Sequence, residues 1–301
     1  MRYRPFGRSG VSISVLTLNL SRELLSQGPD VMRTTVFSAL ENGVNSFRLE
    51  TADPVLAELA GDALASVDRK LVSVSLLLGG GRGAPRDFSA EGLTRSIEEV
   101  LHVSGLGWID VGVLDAPSEE ELPQAALTTL KQMRSAQRLK QLGVAGCDDA
   151  MDAYISTGAF DLVAMPYHVN SPWQTKSRIR AALERDMAVM AYGYFPDSLD
   201  TARKAAGVNA EKQSGWKALL GGRKPIAREA GTFAFLHQTT GWAAEEICLA
   251  YALTDPSICS VIIDADRGQR VEALSATTER DLPPGTPAQI EMARVGRAAA
   301  A

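Results

Sequence analysis

The sequence predicts an α/β fold of repeated strand–helix units, closed into a barrel or laid out as a doubly wound sheet. Two observations carry this. Short, nearly continuous apolar runs recur along the chain, as expected of strands buried on both faces of a parallel sheet. Longer amphipathic stretches of helical period lie between them. The length of 301 residues would admit two domains on a simple prior, yet a closed barrel holds such a chain as one unit.

Taken in order, the predicted strands are residues 44–49, 71–77, 109–114, 141–144, 161–165, 188–192 and 260–263. The clearest helix starts at Ser89, a good N-cap. It places Leu93, Ile97, Val100 and Leu101 three and four residues apart, with Gly105 soon after its end. Residues 122–142 and 243–253 carry the same pattern. No Gly-x-Gly-x-x-Gly fingerprint follows the first strand, which disfavours the doubly wound sheet. The basic, glycine-rich stretch 78–86 lacks the Gly-Lys-Ser/Thr ending of a phosphate loop and reads as a strand-to-helix connection. The tail 297–301 is expected to fray. No linker and no usable internal repeat stand out.

Composition narrows the function classes. The hydrophobic fraction of 45% and charged fraction of 22% supply a large core and exclude disorder. A net charge of −5 lacks the basic footprint of a nucleic-acid binder. Cys147, Cys248 and Cys259 are too few and too scattered for a disulfide framework or a zinc site. The start, MRYRPFGRSG, has no apolar leader, and no run reaches membrane-spanning length. A cytoplasmic protein with no membrane partner is expected.

Several segments then resemble one family in the right order: the opening MRYRPFGRSGVSISVLTLNLS; Ile97-Glu-Glu-Val-Leu with Gly105-Leu-Gly-Trp-Ile-Asp; Arg138-Leu-Lys-Gln-Leu-Gly-Val-Ala-Gly; Phe160-Asp-Leu-Val-Ala-Met-Pro-Tyr; and Ala250-Tyr-Ala-Leu-Thr-Asp-Pro-Ser-Ile-Cys-Ser-Val-Ile. The chain is similar to the aldo-keto reductases from end to end. The resemblance implies an α/β fold, a (β/α)8 TIM barrel of the aldo-keto reductase type, as one domain over residues 1–301. Its site would lie at the C-terminal strand ends.

The resemblance also implies NADPH-dependent carbonyl reduction by an Asp, Tyr, Lys and His set, in which the Tyr donates the proton. Anchoring on Gly43-Val-Asn and Gly61-Asp-Ala-Leu puts Arg48 at the Asp position and Asp53 at the Tyr position. A competing register, matching Glu50-Thr-Ala-Asp, puts Val55 at the Tyr position. Leu76 falls at the Lys position and Asp115 at the His position. The family's Ser-Asn and Gln contacts to nicotinamide correspond to Ala145, Gly146 and Ala164. Losing a few hydrogen bonds of about 0.5–1.5 kcal/mol each weakens binding on the order of 30- to 1,000-fold. Asp264 and Asp266 would repel phosphate, partly offset by Arg267 and Arg270. The resulting expectation is a divergent member lacking the tetrad and binding no NADPH or other cofactor.

The replacements suggest other chemistry. Arg48 is read either as an anion clamp or as a salt-bridge partner of Asp53 or Asp115. Asp53 and Asp115 are read either as an acid–base pair or as carboxylates neutralised by Arg48. His168 would carry protons or hold structure. Asn19, Tyr192 and Trp173 are candidate substrate contacts, Phe195 a second aromatic wall, and Cys147 a thiol at the mouth. No metal motif is present, and His102 and His237 sit on helix faces away from any site. The expected function is binding of a small polar or anionic molecule, with elimination, isomerisation or cyclisation as non-redox chemistry. A non-catalytic pseudoenzyme with a protein partner and an atypical NADPH-dependent reductase are the alternatives.

Overall fold

The computed structural model describes residues 1–80, 85–196, 199 and 231–298. Part of the glycine-rich connection and the end of the tail therefore lie outside the described residues. Ten strands are described: β1 Tyr3–Pro5, β2 Ser12–Ser14, β3 Leu16–Leu20, β4 Ser46–Leu49, β5 Ser73–Leu78, β6 Ile109–Asp115, β7 Leu139–Ala145, β8 Leu162–Pro166, β9 Ala188–Tyr192 and β10 Ser260–Ile263. β3 to β10 form a closed barrel in chain order, β10 pairing back onto β3, with every pair parallel. β1 and β2 form a separate antiparallel hairpin.

Helices cover the barrel: α1 Arg22–Ser26, α2 Pro29–Glu41, α3 Pro54–Leu64, α4 Ala90–Ser104, α5 Gln124–Ser135, α6 Ala150–Thr157, α7 Trp173–Leu183, α8 Ala244–Thr254, α9 Gly268–Thr277 and α10 Thr286–Ala298. Ser89 caps α4 as its sequence predicts, its hydroxyl accepting from Gly92 N, and Gly105 ends the helix in the left-handed conformation. The helical pattern read over 122–142 is divided here. It ends at Ser135, and Leu139 starts β7. Apolar residues three and four apart continued into a buried strand, where period alone does not separate the two states.

Side chains of the barrel strands alternate between two layers. One face of each strand joins the large core between sheet and helices, including Leu18, Phe47, Leu76, Leu114 and Val163. The other fills the barrel with Leu77, Val111, Val113, Ala164, Met190 and Ile262. Phe6 and Ile13 of the hairpin region belong to the same inner cluster and close the barrel floor. A polar layer lies within it: the Thr17 hydroxyl donates to Ser46 Oγ at 2.8 Å and is 2.7 Å from Ser260 Oγ. Among the described residues, no helix is long and apolar enough to cross a membrane.

Candidate functional site

The same alternation builds the mouth. Two residues beyond each inward Thr17, Ser46, Val113, Met190 and Ile262 stand Asn19, Arg48, Asp115, Tyr192 and Asp264. Inward parity at the C-terminal ends thus brings these five to one bowl, the usual position of chemistry in such barrels. Asn19 lies within β3, directly beside Arg48 on β4. Its Nδ2 donates to Asp264 Oδ1 at 2.7 Å, and its Oδ1 accepts from Arg48 Nε at 2.9 Å. The carboxylate fixes the amide, and the amide fixes the guanidinium.

Arg48 forms no ion pair with Asp53 or Asp115. Among the described residues the Nε bond is its one hydrogen bond, which leaves both terminal nitrogens without a partner. Burial pushes the Arg48 pKa down, while Asp264, Glu50, Asp115 and Tyr192 push it up. It stays a cation, because a guanidinium does not deprotonate in proteins. The Asp115 side chain has no hydrogen bond or ion pair among the described residues. The Tyr192 hydroxyl likewise has none. Burial first, with nearby Cys147 and Asp115, pushes that phenol up to about 12.

Asp53 stands apart from this group. It is the N-cap of α3, its Oδ1 accepting from Val55 N at 3.0 Å and Leu56 N at 3.3 Å. Its Oδ2 pairs with Arg22 at 3.2 Å. His168 is held locally: its backbone N–H donates to Ser171 Oγ at 2.8 Å and its Nδ1 accepts from Asn170 N at 3.1 Å. Burial and then the Arg294 guanidinium push its pKa down, so the ring is neutral. Trp173 opens α7 and is 70% exposed. Cys147 is exposed, and its carbonyl accepts from Arg178 at 2.7 Å. Among the described residues no group of His, Cys, Asp and Glu is placed to hold a metal.

One register reading is corrected. Leu76 points outward into the helix-side core, and Leu77 is the inward residue of β5 next to the mouth. Parity decides this, and a motif matched by its last residue overlooks it.

A cleft of about 790 Å³ runs from the mouth along β10 to the start of α9. Ser21, Tyr194, Phe195, Asp264, Gln269 and Arg270 are among its walls. The cleft suits a dinucleotide in size. The N-cap of α9, Arg267, makes no side-chain cap, so the first N–H groups of that helix remain available to an anion. Tyr194 and the buried Glu245 were not read as site residues from the sequence. They are joined by a hydrogen bond at 2.8 Å, and the sequence signals neither as part of a cleft.

The fold and this geometry define a class. The chain matches the Aldo/keto reductase family over residues 32–294 and belongs to that family. It is similar in structure to an aldo-keto reductase from Bacillus halodurans solved in its holo form, at 16% identity and a TM-score of 0.77, over 97% of this chain and 96% of that one. At that identity the likeness shows the fold. No curated protein matches the sequence.

Family and holo-form neighbour point to NADPH-binding proteins, which overturns the expectation of a barrel without a cofactor. Hydrogen bonds lost at Ala145, Gly146 and Ala164 concern one part of the grip only, and the surface of the cleft is supplied by other elements.

Proposed function

We propose that this chain holds a small anionic molecule in the barrel mouth, its negative group on Arg48, beside a cleft that takes a nicotinamide dinucleotide. The observation that carries the reading is the Arg48 guanidinium: half-buried, positioned through Asn19, and, among the described residues, without a carboxylate partner on its terminal nitrogens. The free end of such a cation is open to an anion, and its planar fork matches a carboxylate or phosphate.

Proton handling in this mouth falls to Asp115. Its carboxylate makes no hydrogen bond or ion pair among the described residues, and it shares the bowl with Arg48 while Arg86 acts on it from the side. Tyr192, kept protonated at neutral pH, donates a hydrogen bond to the ligand. Ser21, Gln269 and the first turn of α9 would hold the dinucleotide, which when bound supplies a hydride. In this reading the Asp, Tyr, Lys and His of conventional carbonyl reduction correspond to Arg48, Asp53 or Val55, a leucine and Asp115. The proton step therefore differs from the family's usual one. A second reading, non-redox elimination, isomerisation or cyclisation through Asp115, is favoured by the leucine: Leu77 cannot tune a proton donor.

Calorimetric titration with acetate, malonate and inorganic phosphate, with and without NADH, tests the proposal. We expect at least one anion to bind the wild type and Arg48→Met to weaken it on the order of 10- to 100-fold, the worth of one or two charged hydrogen bonds. Equal affinity in both proteins would sink the Arg48 assignment. With a ligand in hand, Asp115→Asn should leave affinity near normal and stop turnover. Consumption of NADH then separates the reductive reading from the non-redox one.

A further inference from the structure

Three neighbouring strands bring Asp264, Asn19 and Arg48 to one level of the barrel mouth. Ile263 of β10 stands beside Leu18 of β3, so the next residues along, Asp264 and Asn19, are neighbours too. On the other side of β3, Asn19 is in register with Arg48 of β4. Asn19 is 2% exposed and sits between an anion and a cation. Each end of its amide is assigned by that placement. A guanidinium only donates and a carboxylate only accepts, so Oδ1 faces Arg48 Nε and Nδ2 faces Asp264 Oδ1.

Of the carboxylates that act on Arg48, Asp264 acts most strongly, yet the two are not bonded to each other. The amide stands between them. We infer that Asn19 is a positioning residue of the anion site. It grips Arg48 at Nε with a neutral acceptor and keeps Asp264 off the terminal nitrogens, which stay open to a ligand. A carboxylate at this place would hold the guanidinium equally well but would take up its charge. Asp264 fixes the amide from behind and is the second member of the relay. The role rests on the anion-binding part of the proposed function. It adds what makes Arg48 usable: a buried group that can accept from the cation and donate to the anion at once, which among side chains of this size an amide does.

Calorimetric titration of the wild type, Asn19→Asp and Asp264→Ala with malonate and inorganic phosphate tests the relay without any turnover. Asn19→Asp exchanges the amide nitrogen for oxygen and keeps the size of the side chain. We expect it to weaken anion binding about tenfold or more, as the loss of a charged hydrogen bond does. Asp264→Ala separates positioning from mere charge. If Asp264 acted only through its field, removing a negative charge beside the mouth would tighten anion binding. Removing the anchor of Asn19 should instead weaken it severalfold. Asp264 is exposed, so this variant keeps its packing and decides the matter even where Asn19→Asp fails to fold. In an Arg48→Met background neither substitution should change affinity further, a coupling that a merely structural role would not show. Wild-type affinity in Asn19→Asp, or equal or tighter binding in Asp264→Ala, overturns the relay and leaves Arg48 as the anion site. Failure of the wild type to bind either anion overturns both.

Discussion

At the residue scale, the buried histidine shows how position changes chemistry. His168 follows β8 at a place where a proton carrier would be sought, but the loop holds it through Ser171 and Asn170 and the charge beside it is Arg294 on α10. Burial and that cation lower its folded pKa below the ordinary 6.5. The sign follows from linkage. With the folded pKa depressed, the unfolded chain binds the proton first as pH falls, so the contribution is full above about 6.5 and is lost on acidification through the folded value. We expect the melting temperature to fall as pH goes from about 7 to about 5, before most carboxylates titrate. His168→Gln should flatten that slope. An unchanged slope in the variant would place the acid sensitivity elsewhere.

At the element scale, Asp53 separates a structural role from a chemical one. Asp53, which one of two sequence registers puts at the family's proton-donor position, is the cap of α3, ahead of Pro54 at the first helical position. Asp53→Ala removes two accepted N–H bonds and the pair to partly exposed Arg22. We expect a loss of about 1 kcal/mol, most of it from the cap and little from the surface pair. Urea unfolding measures that loss, and anion affinity at Arg48 should remain. A loss of binding or turnover with stability intact would return Asp53 to the site.

The cap could have been read beforehand, since Asp-Pro before an apolar helical run is a start signal. The family motif overshadowed it. Strand existence was equally legible: 109–114, 188–192 and 260–263 fall within a residue or two of β6, β9 and β10. Which way each residue faces depends on where alternation begins. That is why the strand-end motif points to Leu76 where the inward residue is Leu77. Asn19, Arg48, Asp115 and Tyr192 are legible as mouth residues from their strand ends, whereas Asp264 joins them only once all strands share one axis. The cleft was the least legible part. Its walls come from segments as distant in sequence as Ser21, Tyr194, Glu245 and Arg270, and no local pattern announces such a surface.

At the scale of the molecule, the barrel has two ends with different duties, and Arg4 marks the one remote from chemistry. It lies on β1 of the hairpin, where its guanidinium donates to the carbonyls of Leu253 at 2.6 Å and Asp255 at 2.9 Å, and also to that of Ile258. These carbonyls belong to the end of α8 and the turn into β10, where a helix leaves its last C=O groups unsatisfied. One side chain of the floor hairpin thus answers the orphan acceptors of the connection that closes the barrel onto β3. Burial lowers the Arg4 pKa, yet the group remains a cation and its bonds are charge-assisted.

Removing it strands several acceptors at once. Arg4→Ala should therefore cost on the order of 2–4 kcal/mol, for three partly buried hydrogen bonds at about 0.5–1.5 kcal/mol each. The mouth lies at the opposite ends of the same strands, and the closed sheet between them is packed by the inner cluster. Anion affinity at Arg48 and dinucleotide affinity in the cleft should consequently stay within about twofold of the wild type wherever the variant is folded. Chemical denaturation and calorimetric titration of the same preparation check both halves. A variant of normal stability would show that solvent satisfies the α8 carbonyls. A folded variant with weakened binding would show that floor and mouth are coupled through the barrel interior.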